Sequence, residues 1–141
     1  MTLSGLNWLS VVISVFATFA SGAIWFGPKT FYPVWMKAMG RTPNQNGDNS
    51  AMFKVFSSLI ASIIIEVVVL AALITSLSKH NPNFGVANGA ITGFLIGLAI
   101  CSMPNLSHRL FAGNGFKVWL IENGNDILNM TMVGAIIAAM N

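Results

Sequence analysis

Three of the four acidic residues of this 141-residue chain, Glu66, Glu122 and Asp126, lie inside long apolar runs, and only Asp48 lies in a polar stretch. An ionised carboxylate in the middle of a hydrocarbon layer costs about 3 kcal/mol or more, so such groups face protein or water and are paired or protonated. Helical geometry sharpens the pattern. Successive residues advance by about 100°, which brings Glu122, Asn125, Asp126 and Asn129 into one arc of roughly 100°. With Trp119 at the edge of its run, Asn129 lies ~15 Å deep at ~1.5 Å per residue. Glu66, about 13 residues into its own run, reaches a similar depth. The spacing therefore predicts a polar column descending from one membrane surface to the level of Glu66. Two kinds of chemistry fit it. Carboxylates held away from water can carry protons or bind cations, as in relays and coupled transporters. Alternatively, the column is a hydrogen-bonded network that joins helices, with Arg109 or Lys117 neutralising Glu122.

Other reactive residue types give weaker signals. His108 falls near Glu122 and Asp126, yet no His-x-x-His or Glu-x-x-His spacing supports a metal site, and none is assigned. His80 has no evident partner. Cys101 is the single cysteine and sits in an apolar run, so neither a disulfide framework nor a thiolate cluster is expected. Nucleophile elbow, Walker loop and dinucleotide fingerprint are all missing, and Gly113-Asn114-Gly115 reads as a turn. No cofactor and no enzymatic activity are expected.

Positioning such a column requires helices that cross a membrane. Hydrophobic residues make up 55% of the chain and charged ones 8%, with a mean hydropathy of +0.71, too little charge to clothe a soluble domain. The apolar residues fall in blocks near the ~20 needed to cross the bilayer core. Four spans are expected at about 6–26, 53–77, 85–106 and 119–140, making one all-α membrane domain built as a four-helix bundle. The first ends at Trp25-Phe26-Gly27-Pro28, aromatics followed by a helix breaker. From 28 to 40, Phe31, Val34, Trp35, Ala38 and Met39 take one arc and Lys29, Thr30 and Lys37 another, which predicts a short amphipathic helix in the interface plane, limited by Pro33. Trp25, Trp35 and Trp119 are expected as interfacial anchors. The turn formers from Arg41 to Ser50 make an aqueous loop ending in N-caps at Asn49 or Ser50. Pro104 is expected to bend the end of the third span, and Gly124 to mark an irregular start to the fourth. The first run lacks a basic leader and a cleavage site, so it is expected to be retained.

The net charge of +3 and pI near 9.4 do not indicate nucleic-acid binding, because the basic residues are dispersed between apolar blocks. They act as topology signals. Lys29, Lys37, Arg41, Lys54, Arg109 and Lys117, six of the seven, fall in the first and third connections, against Lys79 on the opposite side. The positive-inside rule places those connections in the cytoplasm and both termini outside. No internal repeat is evident.

Gly85, Gly89, Gly93 and Gly97 recur every four residues and lie on one helix face. Such a stripe lets another helix backbone approach closely. It fits a seam between copies, with the bilayer and itself or another membrane protein as partners. The expectation favoured over that seam is packing within the chain against the first span, whose Ser14, Thr18 and Gly22 form a matching stripe.

Several short motifs resemble a known family. Asn7-Trp8-Leu9, then Gly22-Ala23-Ile24-Trp25-Phe26-Gly27-Pro28 leading to Trp35-Met36 and Gly40, then Leu110-Phe111, Lys117, Leu120-Ile121, Gly124 and the closing Gly134-Ala135-Ile136-Ile137-Ala138-Ala139, are similar to the DUF1761 family of small bacterial membrane proteins. The resemblance implies a four-span protein of the bacterial plasma membrane and brings no activity with it. The expectation is a small polytopic protein acting as an oligomer or as a subunit of a larger complex, with a proton- or cation-coupled transporter as the alternative.

Overall fold

The computed structural model describes residues 5–41 and 49–141, with side chains from 52 onward in the second stretch. The aqueous loop expected between Arg41 and Asn49 lies outside the described residues. All regular elements described are helices: α1 (Trp8–Trp25), α2 (Tyr32–Ala38), α3 (Asn49–His80), α4 (Val86–Leu95), a π-helical segment (Ile96–Ser102), α5 (Met103–Phe111) and α6 (Gly115–Met140). Three stretches, Trp8–Trp25, Met52–His80 and Val86–Phe111, are long and apolar enough to cross a membrane. Although α6 has 26 residues, enough for roughly 39 Å, its acids and amides make it less apolar.

Each boundary has a local cause. Asn7 caps α1 by accepting from the amides of Leu9 at 3.1 Å and Ser10 at 3.3 Å, which satisfies two of the four free N–H groups at a helix start. Its own amide donates to the Met140 carbonyl at 2.8 Å, tying the start of α1 to the end of α6. At the other end the Thr30 hydroxyl faces the carbonyls of Ile24 at 2.5 Å and Trp25 at 2.7 Å. The segment expected as a helix over 28–40 is helical only from Tyr32 to Ala38, with Pro33 in its first turn. It closes with amides of Gly40 and Arg41 bonded back to the carbonyls of Lys37 and Met36. Gly40, at φ 66°, supplies the left-handed residue that this closure needs. The same closure recurs after α5, where Gly113 at φ 75° leads the chain back into α6.

Pro104 acts differently from a simple bend. A proline within a helix removes an N–H and crowds the carbonyl four residues back, and here the preceding turns widen into the π-helical segment. The Ser102 hydroxyl donates to the Gly97 carbonyl at 2.7 Å, and the Trp119 indole donates to the Ser102 carbonyl at 2.8 Å.

The four long rods run alternately up and down, with α6 in contact with every other element. The apolar core gathers Val11, Val67, Leu70, Ile74, Val133 and Ile137 from α1, α3 and α6. It occupies the half of the bundle that holds the start of α1 and the end of α6.

The glycine stripe faces α6, and this corrects the expectation that α1 is its partner. A Cβ added at Gly89 would overlap the Gly134 carbonyl and the Ala138 side chain, and one at Gly93 would overlap the Met130 carbonyl. Gly97 lies against Ile127 and Met130, whereas Gly85 meets nothing within 4 Å. Overpacking a close helix contact costs about 1–3 kcal/mol. Gly93→Ala and Gly134→Ala are therefore expected to lower the thermal unfolding midpoint in detergent, followed by circular dichroism. Gly22→Ala, inside α1 at a position with open space within 4 Å, should leave it unchanged or slightly raised, since alanine favours helix by about 1 kcal/mol over glycine in a helix interior. Equal effects at all three positions would refute the close contact.

Candidate functional site

The polar column divides into parts with different surroundings. Glu122 is held at the end of the bundle where α2, α5 and α6 meet. Arg109 approaches it with Nε at 2.7 Å from Oε2 and Nη2 at 3.1 Å from Oε1, and the Trp35 indole donates to Oε1 at 2.9 Å. The Arg109 and Glu122 side chains are 32% and 14% exposed, so the pair is partly shielded. Of the two cations named from the sequence, Arg109 is the one that engages Glu122.

Asn125, Asp126 and Asn129 instead line a cleft of about 670 Å³ between α1, α3 and α6. Glu66 enters it from α3, with Ser62 donating to Oε1 at 3.4 Å. Thr18 and Gly22 contribute from α1, and Phe19, Phe26, Phe56 and Leu59 form apolar walls. The cleft exists because α3 packs along only part of its length. Its face bearing Ile63, Val67, Leu70 and Ile74 is buried, while residues 52–62 are exposed. The same face, continued back to Phe56, Leu59 and Ser62, stands away from α1 and α6. Both carboxylates lie near the middle of their helices.

The cleft is rich in oxygen acceptors. Thr18, Asn125 and Asn129 are 7%, 7% and 9% exposed, yet Thr18 Oγ1, Asn125 Oδ1 and Asn129 Oδ1 have no hydrogen-bond partner among the described residues. Buried polar atoms are normally satisfied, so each such atom asks for an explanation. No Lys, Arg or His lines the cleft among the described residues.

Several side chains do other work than the sequence suggests. Trp119 is buried, with its indole bonded to Ser102, so it is no interfacial anchor. Trp25 and Trp35 are half-buried and turn their N–H groups onto α6, Trp25 to the Ile121 carbonyl at 2.9 Å. Gly124 marks no irregularity: α6 is continuous through it, and a Cβ there would lie 3.3 Å from the Trp25 ring. The sequence reading missed Asn123, which is 1% exposed on the opposite face of α6. It donates to the Trp119 carbonyl at 2.9 Å and accepts from Asn105 at 3.2 Å. Thr18, Ser62 and the three phenylalanines also escaped notice as site residues. Their common i, i+3, i+4 spacing on α1 and α3 was the available signal. His108 is exposed, and among the described residues no three His, Cys, Asp or Glu side chains group as a metal site would need.

Together these features define an all-helical protein with three membrane-crossing candidates and an acidic cleft beside its central helix. The chain belongs to the DUF1761 family, described as protein of unknown function, whose model matches residues 9–138. Comparison with curated proteins and with solved structures finds no match.

The Glu122 cluster yields a thermodynamic test. Removing one partner of a shielded ion pair strands the other, a loss of 3–5 kcal/mol when the pair is fully buried, and about 1–3 kcal/mol here after allowance for solvent screening. Arg109→Ala should destabilise the protein more than Glu122→Gln, because it strands the less exposed charge, that of Glu122, whereas glutamine still accepts from Trp35 and strands only the more exposed guanidinium of Arg109. The double variant should recover part of the Arg109→Ala loss. Strictly additive losses in chemical unfolding would show that the two side chains do not interact.

Proposed function

We propose that this protein is a four-span membrane protein that binds a cation in the α1–α3–α6 cleft and works as a small proton- or cation-coupled transporter. The observation behind this reading is the pair Glu66 and Asp126, on different helices, facing one cavity without a basic residue in its lining among the described residues. Ionisable groups at that depth mark ion or substrate paths more often than packing. A fourth span is supported by the place of α6. Its polar residues would be costly against lipid, but Asn123, Asn125 and Asn129 are buried by the other helices. The role is one of binding and movement, not catalysis. The glycine stripe is filled by α6 within the chain, so the oligomer reading loses the seam on which it rested.

In this reading the protein resides in the bacterial plasma membrane, with the Arg109 end of the bundle in the cytoplasm and both termini outside. Its basis is the distribution of basic residues. α2, whose Lys37 is exposed beside half-buried Trp35, lies in the cytoplasmic interface plane. Alkaline phosphatase fused after Asn141 should be active and a fluorescent protein there dark, with the opposite result for fusions at Gly113. A reversed pattern would overturn the orientation.

Flux tests the function directly. Purified protein in liposomes should dissipate an imposed pH gradient, reported by an internal dye. Glu66→Gln and Asp126→Asn should each slow this at least about tenfold, the loss expected on removing a charged partner worth about 1.4 kcal/mol or more. Wild-type vesicles that hold the gradient as well as empty ones, with sodium, potassium or organic cations on either side, would sink the transporter reading.

A further inference from the structure

We propose that the cleft is a receptor site for an amphiphilic primary ammonium compound, with its charged head between Glu66 and Asp126 and its apolar body against Phe19, Phe26 and Phe56. This inference rests on the cleft being the functional site, as argued above, and adds the chemistry of its occupant.

Three features point to that chemistry. The first is volume. At about 670 Å³ the cleft falls in the range of small-molecule sites, roughly 300–1,000 Å³, and far exceeds what a bare metal ion fills. The second is the balance of charge: two carboxylates and, among the described residues, no lining cation call for a positive ligand. The third is the deficit of donors. Among the described residues Asn125 Oδ1, Asn129 Oδ1 and Thr18 Oγ1 are buried without a partner, and an ionised carboxylate can only accept. A primary ammonium brings three N–H donors on one atom, whereas a quaternary ammonium brings the same charge and none. The aromatic walls suit an aryl or alkyl body and offer ring faces to the charge.

The helices place these groups so that an occupant enters sideways. α1 and α6 run antiparallel, with Asn7 bonded to Met140 and Trp25 to Ile121. Continuing that register sets Thr18 opposite Asn129 and Gly22 opposite Asn125. The absence of a side chain at Gly22, where nothing lies within 4 Å, keeps the space before Asn125 open. Across the gap, α3 presents Phe56, Leu59 and Ser62 on its exposed half, so the mouth opens between two apolar helices.

The test compares three ligands of one shape on the wild-type protein in detergent at neutral pH, by equilibrium dialysis: diphenylpropylammonium, its N-trimethylated form, and the carboxylate with the same diphenyl body. The primary ammonium should bind at least about tenfold more tightly than the trimethylated form, a difference of about 1.4 kcal/mol, and the carboxylate should not bind measurably. Asn125→Leu should erase the preference for the primary over the trimethylated ligand, while Glu66→Gln and Asp126→Asn should weaken both cations. Circular dichroism of each variant verifies folding, and the three-ligand comparison on wild type needs no variant. Equal binding of all three ligands would reduce the cleft to a greasy surface and overturn the proposal. So would equal binding of the two cations, or sodium occupying the site without competition from the amine. Amine binding without any flux would leave this inference standing and remove the transporter reading; proton flux without amine binding would do the reverse.

Discussion

A helix that carries Glu122, Asn123, Asn125, Asp126 and Asn129 within eight residues cannot present them bare to an apolar environment, because each buried polar group without a partner costs roughly 1–3 kcal/mol. The rest of the architecture follows from wrapping α6. α4 lies so close that glycine meets glycine across the contact. α1 is fastened at both ends, by Asn7 to the Met140 carbonyl and by Trp25 to the Ile121 carbonyl. α2 and α5 together close over Glu122. The polarity that makes α6 the least apolar of the long helices also makes it the one that touches all the others.

The wrapping is incomplete on one side, and that gap is the cleft that holds Glu66 and Asp126. α3 covers α6 only over its second half, where Val67, Leu70 and Ile74 are buried. In its first half, Met52, Phe53, Val55 and Phe56 are exposed, as suits side chains whose solvent is lipid. A shift of that half of α3 towards α1 would bury both Glu66 and Asp126 without a counter-charge unless a cation came with them, so that under the proposed function an occupant would favour the closed arrangement.

Much of this was legible in the sequence. The three most apolar helices announce themselves by composition, and the column in α6 by the recurrence of polar residues over one arc. Tertiary partners were less legible. The Gly89, Gly93 and Gly97 stripe says that some backbone comes close, but a residue without a side chain says nothing of which one. α1 offered small residues at the same spacing and was the natural candidate, whereas Gly134 lies in a run that reads as ordinary span. Tryptophans near span ends suggest lipid anchoring, yet an indole also carries an N–H that seeks an acceptor when buried, and here Trp25, Trp35 and Trp119 found theirs within the protein. Asn123 was overlooked because it lies off the stripe, although a helix wrapped on all sides has no face on which a polar residue needs no partner. The widened turn before Pro104 follows from the proline, but its length depends on packing against Trp119 and Ile127.

Glu122 and Asp126 stand one turn apart on the same helix, and their contrast is the best guide to what the site does. Glu122 is met by a guanidinium on one side and an indole N–H on the other, so its charge is already answered by the protein and it has little to offer a ligand. Its effect is to hold α2, α5 and α6 together at one end. Among the described residues Asp126 has no such partner, and it faces a cavity that it shares with Glu66 and with amide oxygens that lack donors there. Two carboxylates in one column differ in that one is neutralised by the fold and the other is not, a division that under the proposed function assigns one to holding the bundle and the other to a cation. Were the column only glue, Asp126 would be expected to find a donor as Glu122 does. A carboxylate kept at mid-helix without a partner among the described residues contributes nothing to packing that an asparagine would not, and it is the proposed ligand that would account for its charge.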